Sequence, residues 1–398
     1  MSIWVPELLS PAGSLEKLKV AMWYGADACY LGGQKFGLRS AADNFNEEEL
    51  KEALEFAHSR NKLVYVVLNS FLHDEELKEL PEFLKLLEEV KVDAVICSDL
   101  GVVQTVRKHS DLVVHLSTQA SCLNADAARF WKDQGVKRIV LGREVAIADA
   151  KKIKDKVDIE LEMFVHGSMC MAYSGNCVIS NYTQGRDSNR GGCAHSCRFE
   201  YSLAEKESEE YKKAYFMSSK DLEGIRVLQD FIDAGIDSLK VEGRMKTHHY
   251  VGTISKVYSE ALSHYKNNGN FLSSQLEEWE RELRKVGHRD YTNASLIEKA
   301  GPDSVFNERE HMENEYVVGG VILEKGDDYT LVEVRSPFTP NDEIEIIPFH
   351  GKNVTLQNNQ LMDVAGEVLE KTRPGMILKL PYIEQAQSFN LIRVRTRP

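Results

Sequence analysis

The chain has 398 residues, 42% hydrophobic and 28% charged, an ordinary globular composition long enough for a large barrel and an appendage. Its formal net charge of -13 excludes a general polyanion-binding surface and confines any nucleic-acid contact to a local basic patch. No apolar run approaches the ~20 residues of a bilayer span, and MSIWVPELLSPAG lacks the basic and apolar regions of a signal peptide, so a cytoplasmic protein with no membrane contact is expected.

Eight strand-like runs occupy the first 270 residues: Glu7–Ser10, Ala28–Gly32, Leu63–Asn69, Ala94–Ser98, Val113–Ser117, Arg138–Leu141, Ile159–His166 and Ser238–Glu242. Several, such as LVYVVL and DAVIC, are continuous apolar runs, the pattern of parallel strands buried on both faces. Helical patterns fill the gaps. Ser14 is placed to cap SLEKLKVAMWYGA, and Asn46 with Glu49 forms a capping box for FNEEELKEALEFA, with Phe45 facing Leu50 as a staple. Alternation of this kind predicts a (β/α)8 TIM-like barrel over residues 1–270. An open doubly wound sheet competes, but no G-x-G-x-x-G follows the first strand. Barrel chemistry gathers where strands end, which here means Arg143, Glu144, His166, Lys240, Glu242 and Arg244 among smaller polar residues.

Residues 271–315 read as a helical linker, with a helix over Phe271–Val286 and a boundary loop near Ala300–Asp303. From Tyr316 to the end, five short β runs separated by KGDD, TPND, FHGK and TRPG predict a small antiparallel β-barrel domain over 316–398.

Four of the seven cysteines crowd into one glycine- and serine-rich stretch, as Cys170-x6-Cys177-x15-Cys193-x3-Cys197. Four thiolates hold zinc or an iron–sulfur cluster. The tight C-x2-C knuckles of structural zinc sites are missing, and the glycines let a backbone wrap a larger cluster, so spacing alone favours iron–sulfur without removing zinc or free thiols. Cys29, Cys97 and Cys122 stand alone and read as small buried hydrophobes.

The run EMFVHGSMCMAYSGNC, from Glu162 to Cys177, resembles the signature of the collagenase-like peptidase family U32. SPAGS near the start, YLG after the second strand, SSKDL and LKVEGRMK extend the resemblance over most of the chain. The family is named for peptidases of unassigned mechanism, and it includes oxygen-independent hydroxylation proteins carrying a [4Fe-4S] cluster. One type acts on ubiquinone precursors and lacks the extra β domain. Another is needed to 5-hydroxylate the wobble uridine of tRNA, with prephenate as required metabolite. The C-terminal β domain makes this chain resemble the tRNA type, and the resemblance implies Cys170, Cys177, Cys193 and Cys197 as cluster ligands. Peptidase activity is the alternative, although neither H-E-x-x-H nor G-x-S-x-G occurs.

On that reading His166, Glu162 and Tyr173 form the catalytic set, His166 moving a proton and Tyr173 stacking on a base or donating its hydroxyl. Arg143, Lys240, Glu242 and Arg244 form the substrate set, the cations holding the carboxylates of a small dicarboxylate such as prephenate. Arg186, Arg190 and Arg198 interleave with the cysteines and are read as steering RNA phosphates. Arg393, Arg395 and Arg397 share a strand face by period two and are read as a phosphate-contacting edge, a pattern that also suits a charged edge guarding against aggregation. The expected partners are tRNA and the dicarboxylate, with a paralogous or homo-oligomeric subunit left open.

Overall fold

The computed structural model describes residues 3–37, 44–204, 211–306, 315–356 and 360–395. Seven strands alternate with helices: β1 (Glu7–Pro11), α1 (Leu15–Trp23), β2 (Ala28–Gly32), α2 (Glu47–His58), β3 (Leu63–Leu68), α3 (Asp74–Glu89), β4 (Ala94–Cys97), α4 (Leu100–His109), β5 (Val114–Leu116), α5 (Ala125–Asp133), β6 (Arg138–Val140), α6 (Ile147–Lys156) and β7 (Glu160–Ser168). After β7 the chain departs from the repeat. It runs through α7 (Ile179–Gln184), a hairpin of β8 (Tyr201–Ala204) and β9 (Tyr211–Ala214), β10 (Asp221–Glu223) and α8 (Leu228–Asp233) before β11 (Ser238–Val241).

β1 to β7 pair in parallel in sequence order, and β11 closes the ring between β7 and β1. The eight expected strands are therefore the eight staves of a closed barrel. Local chemistry sets the helix starts. Asn46 accepts from the Glu49 amide at 2.9 Å while Glu49 accepts from the Asn46 amide at 3.0 Å, and Ser14 caps α1.

The last barrel helix, α9 (His248–Asn268), is followed by α10 (Ser273–Leu283), β12 (Tyr291–Thr292) and α11 (Pro302–Val305). The expected linker is tied back to the barrel. β12 pairs with β10, which pairs antiparallel with the end of β7, and Phe306 bridges to Ser219.

The C-terminal strands are β13 (Tyr316–Lys325), β14 (Tyr329–Val334), β15 (Glu343–Ile347), β16 (Val354–Leu356), β17 (Met362–Asp363), β18 (Ile377–Pro381) and β19 (Leu391–Arg395). They form an antiparallel half-barrel sheet in the order β16-β15-β19-β13-β14-β18-β17, around a core that includes Ile322, Val332, Ile344 and Ile392. β19 lies between β13 and β15, so the reading of Arg393 and Arg395 as an edge is corrected. Arg393 is 0% exposed and clamps Glu345 at 2.5 Å and Glu282 of α10 at 2.9 Å, because a buried guanidinium needs carboxylates around it. Arg395 is exposed and pairs with Glu315 at 2.7 Å. Arg397 lies outside the described residues.

The sheet docks on the barrel through α1. The Tyr24 hydroxyl donates to the Ile347 carbonyl at 2.6 Å and accepts from the Leu391 amide at 2.8 Å. Trp23 stacks on Phe389 with ring centres 4.4 Å apart.

Candidate active site at the mouth of the barrel

A cavity of about 130 Å³ lies between the strand ends and the cysteine segment. Tyr30, Asn69, Gln119, Arg143, Phe164, Lys240, Glu242 and Arg244 come from the barrel side. Cys170, Tyr173, Cys177, Cys193 and Cys197 come from the segment after β7. The fold thus brings all four expected metal ligands and all four expected substrate residues to one cavity.

The cysteine segment is held at several points. Ser174 donates its amide to Glu144 at 2.9 Å, its hydroxyl accepts the Arg143 amide at 3.1 Å, and its carbonyl accepts the Ser121 hydroxyl. Asn189 donates to the Cys177 carbonyl at 3.0 Å, and Arg190 donates to the Phe71 carbonyl and to Glu76 at 3.0 Å. Gly175 sits at φ +79°, and a Cβ there would lie 1.9 Å from the Gln119 carbonyl oxygen, so the loop approaches the barrel only through a glycine.

Cys170 is exposed and the other three site thiols are half-buried. Burial raises the Cys197 thiol pKa; Arg198 opposes this, and Cys170, Cys193 and Cys177 add to it as neighbouring negative charges. Among the described residues, no three His, Cys, Asp or Glu side chains converge tightly enough to hold one metal ion. All four thiols line the one cavity, and the other three act electrostatically on Cys197.

The cationic wall is built from three residues at two strand ends, Arg143 after β6 and Lys240 and Arg244 at the end of β11. The Arg143 guanidinium lies 3.9 Å over the Phe164 ring, 3.8 Å from Glu242, and 3.7 Å from the Cys170 sulfur, to which it donates. Lys240 donates to Glu162 at 2.7 Å and sits 4.4 Å over the Tyr30 ring. Arg244 is buried against Gly32, where any Cβ would come 2.6 Å from its Nη1.

Other expected roles are corrected by position. Glu162 is 0% exposed inside the barrel, between Lys240 and Arg138, and does not line the cavity. His166 is buried on the outer side of the site, 3.3 Å from the Tyr258 hydroxyl and 3.3 Å from the Tyr291 hydroxyl. Burial lowers its pKa to about 3, so it is a neutral core histidine and not a proton donor at the cavity. Tyr173 does line the cavity and is 53% exposed. Arg186 is exposed on the segment's surface. Arg190 and Arg198 donate within the protein, Arg190 to the Phe71 carbonyl and the Glu76 carboxylate and Arg198 to the Met169 and Ser219 carbonyls.

Sequence reasoning did not single out Tyr30, Phe164 or Asn189. Tyr30 and Phe164 sit inside apolar strands, where only the inward parity near a strand's end distinguishes a cavity wall from core.

The profile of peptidase family U32 matches residues 13–305, and that of the peptidase family U32 C-terminal domain matches residues 314–393. The chain is 40% identical to tRNA hydroxylation protein P1 of Bacillus subtilis, over 98% of this chain and 94% of that protein. It is 32% identical to tRNA hydroxylation protein P of Escherichia coli, over 92% and 90% of the two chains. A collagenase of Porphyromonas gingivalis is 31% identical over 72% of each. With a barrel, a cysteine segment and a C-terminal sheet that together match both profiles, the chain belongs to peptidase family U32.

Proposed function

We propose that this chain is an RNA hydroxylation protein that acts on tRNA, adding oxygen at C5 of the wobble uridine with prephenate as co-substrate and a [4Fe-4S] cluster as cofactor. The observation that carries the proposal is the single cavity in which four cysteines face Arg143, Lys240 and Arg244. The names of the Bacillus subtilis and Escherichia coli relatives support RNA as substrate.

The donor set fits the cofactor. A zinc ion with Zn–S bonds of about 2.3 Å draws its thiolates to one point. A polynuclear cluster takes four thiolates around a larger group; all four thiols line one cavity, and the Arg143 N–H aimed at the Cys170 sulfur is the type of contact that tunes a cluster. Cys170, Cys177, Cys193 and Cys197 would hold it. When bound, such a cluster would supply one-electron chemistry beside the cationic wall.

The chain's own residues bind and orient. Arg143 and Arg244 offer planar forks to carboxylates, and Lys240 adds a charge fixed by Glu162. Phe164 and Tyr30 give apolar ring faces beside those cations, so the cavity matches a small ring bearing carboxylates. Tyr173, at the rim, is available to stack on a base brought from outside.

The peptidase reading has less support. Cys29, Cys97 and Cys122 are fully buried, and burial raises the Cys122 thiol to about 11, so none offers a thiolate nucleophile. Mass spectrometry of tRNA nucleosides from cells lacking the gene tests the proposal. Loss of 5-hydroxyuridine derivatives, restored by the intact gene but not by one carrying Arg143→Gln, is expected; unchanged nucleosides would overturn it.

A further inference from the structure

Arg198 directly follows Cys197, and its side chain turns into the protein. Nη1 donates to the Ser219 carbonyl at 2.6 Å and lies 3.4 Å from the Ser218 hydroxyl. Nη2 donates to the Met169 carbonyl, which also accepts the Ser219 hydroxyl at 2.8 Å. Met169 directly precedes Cys170. One planar group therefore joins the residue before the first cysteine to the residue after the fourth.

The surroundings brace this link. Cys197 lies in a single 3-10 turn, Ser196–Arg198, and Cys170 stands just past the end of β7, so neither is fixed by long secondary structure. Behind them Arg289 donates to Asp221 at 2.8 Å and to Ser168 at 3.1 Å, and Lys246 lies 3.9 Å from Asp221. Arg198 is half-buried and lies within electrostatic reach of Arg289 and of the buried Asp221. Its guanidinium is committed to the Met169 and Ser219 carbonyls.

We infer that Arg198 is a positioning residue that sets the separation of Cys170 and Cys197 before iron arrives. The inference rests on the iron–sulfur reading above. Lysine is a poor substitute, because a single ammonium cannot present two fixed N–H directions to carbonyls on different segments. The link acts through geometry, with the Ser219 hydroxyl as its second half.

The test uses the full chain, purified without oxygen and reconstituted with ferrous iron and sulfide, as wild type, Arg198→Gln, Arg198→Lys and Ser219→Ala. Iron per chain, the rate of visible-absorbance loss to excess chelator, and the electron paramagnetic resonance spectrum of the reduced protein are read, with far-UV circular dichroism as folding control. Both Arg198 variants are expected to release iron about tenfold faster than wild type with an altered resonance line shape, and Ser219→Ala to fall between. Wild-type release from Arg198→Gln would overturn the inference. So would wild-type release from Arg198→Lys beside failure of Arg198→Gln, which would reduce the role to charge. Should Arg198→Gln not fold, Ser219→Ala decides: wild-type release there overturns the strut. A wild-type chain that takes up no iron would remove the iron–sulfur reading itself, and that result is seen before any substitution is compared.

Discussion

His166 sits among the rings of Tyr250, Tyr258 and Tyr291, where burial penalises a charged imidazole more than nearby Asp221 favours it. Burial holds its pKa, and that of His249, at about 3 against an ordinary 6.5. Between those values the unfolded chain binds protons that the folded chain refuses, so this contribution is complete above pH 6.5 and is lost as pH falls towards 3. The expected loss is about 1.4 kcal/mol per pH unit for each histidine. Urea melts at pH 7, 6 and 5, where most carboxylates stay ionised, check this. His166→Gln, which keeps a polar group between the hydroxyls, should reduce the pH slope by about one proton; an unchanged slope would mean that His166 titrates normally.

At the scale of elements, the segment after β7 does the least regular folding and carries the most chemistry. Gly175 makes its approach possible, so Gly175→Ala must shift the loop away from Gln119. The left-handed backbone alone costs a side chain about 1 to 2 kcal/mol. We expect this variant to keep the barrel's circular dichroism but to bind iron substoichiometrically, as read by iron assay. Full iron with a wild-type release rate would show that the loop tolerates the displacement.

The barrel was legible because β2, β3 and β4 are apolar on both faces, and Asn46 and Glu49 write a helix start into four residues. The cysteines and the cationic wall were legible because charged or sulfur-bearing residues at strand ends have few reasons to be there. The roles of His166, Glu162, Arg198 and Arg393 were not. A polar residue in the sequence looks the same whether it faces a cavity or a buried partner distant along the chain, and Arg393 meets a carboxylate 111 residues away. The polar column inside the barrel, where Arg138 meets Glu7 at 2.6 Å and approaches Glu162, likewise leaves no local trace.

For the whole molecule, barrel and sheet are joined by buried polar bonds as well as by apolar packing. Arg393 reaches from β19 to α10, Lys256 of α9 donates to the Pro348 carbonyl at 2.9 Å, and Tyr24 reaches two strands of the sheet. Such an interface couples the two parts, so one unfolding transition is expected, with circular dichroism and tryptophan fluorescence coincident. Tyr24→Phe leaves the Ile347 carbonyl and the Leu391 amide without their buried partner. It should destabilise the protein by about 1 to 3 kcal/mol and separate the two signals. Coincident curves of wild-type midpoint would show that the hydroxyl contributes nothing.

Tyr24 also sets a timing problem for the cell. Its amide partner, Leu391, lies 367 residues downstream. At roughly 5 to 20 residues per second, a ribosome needs on the order of 20 to 70 seconds to deliver the strand that covers the first helix. During that interval Trp23 has Phe56 but lacks Phe349 and Phe389, Tyr24 lacks Ile347 and Leu391, and β1 waits for β11 to close the ring. The nascent chain therefore carries an incompletely covered aromatic patch for most of its synthesis.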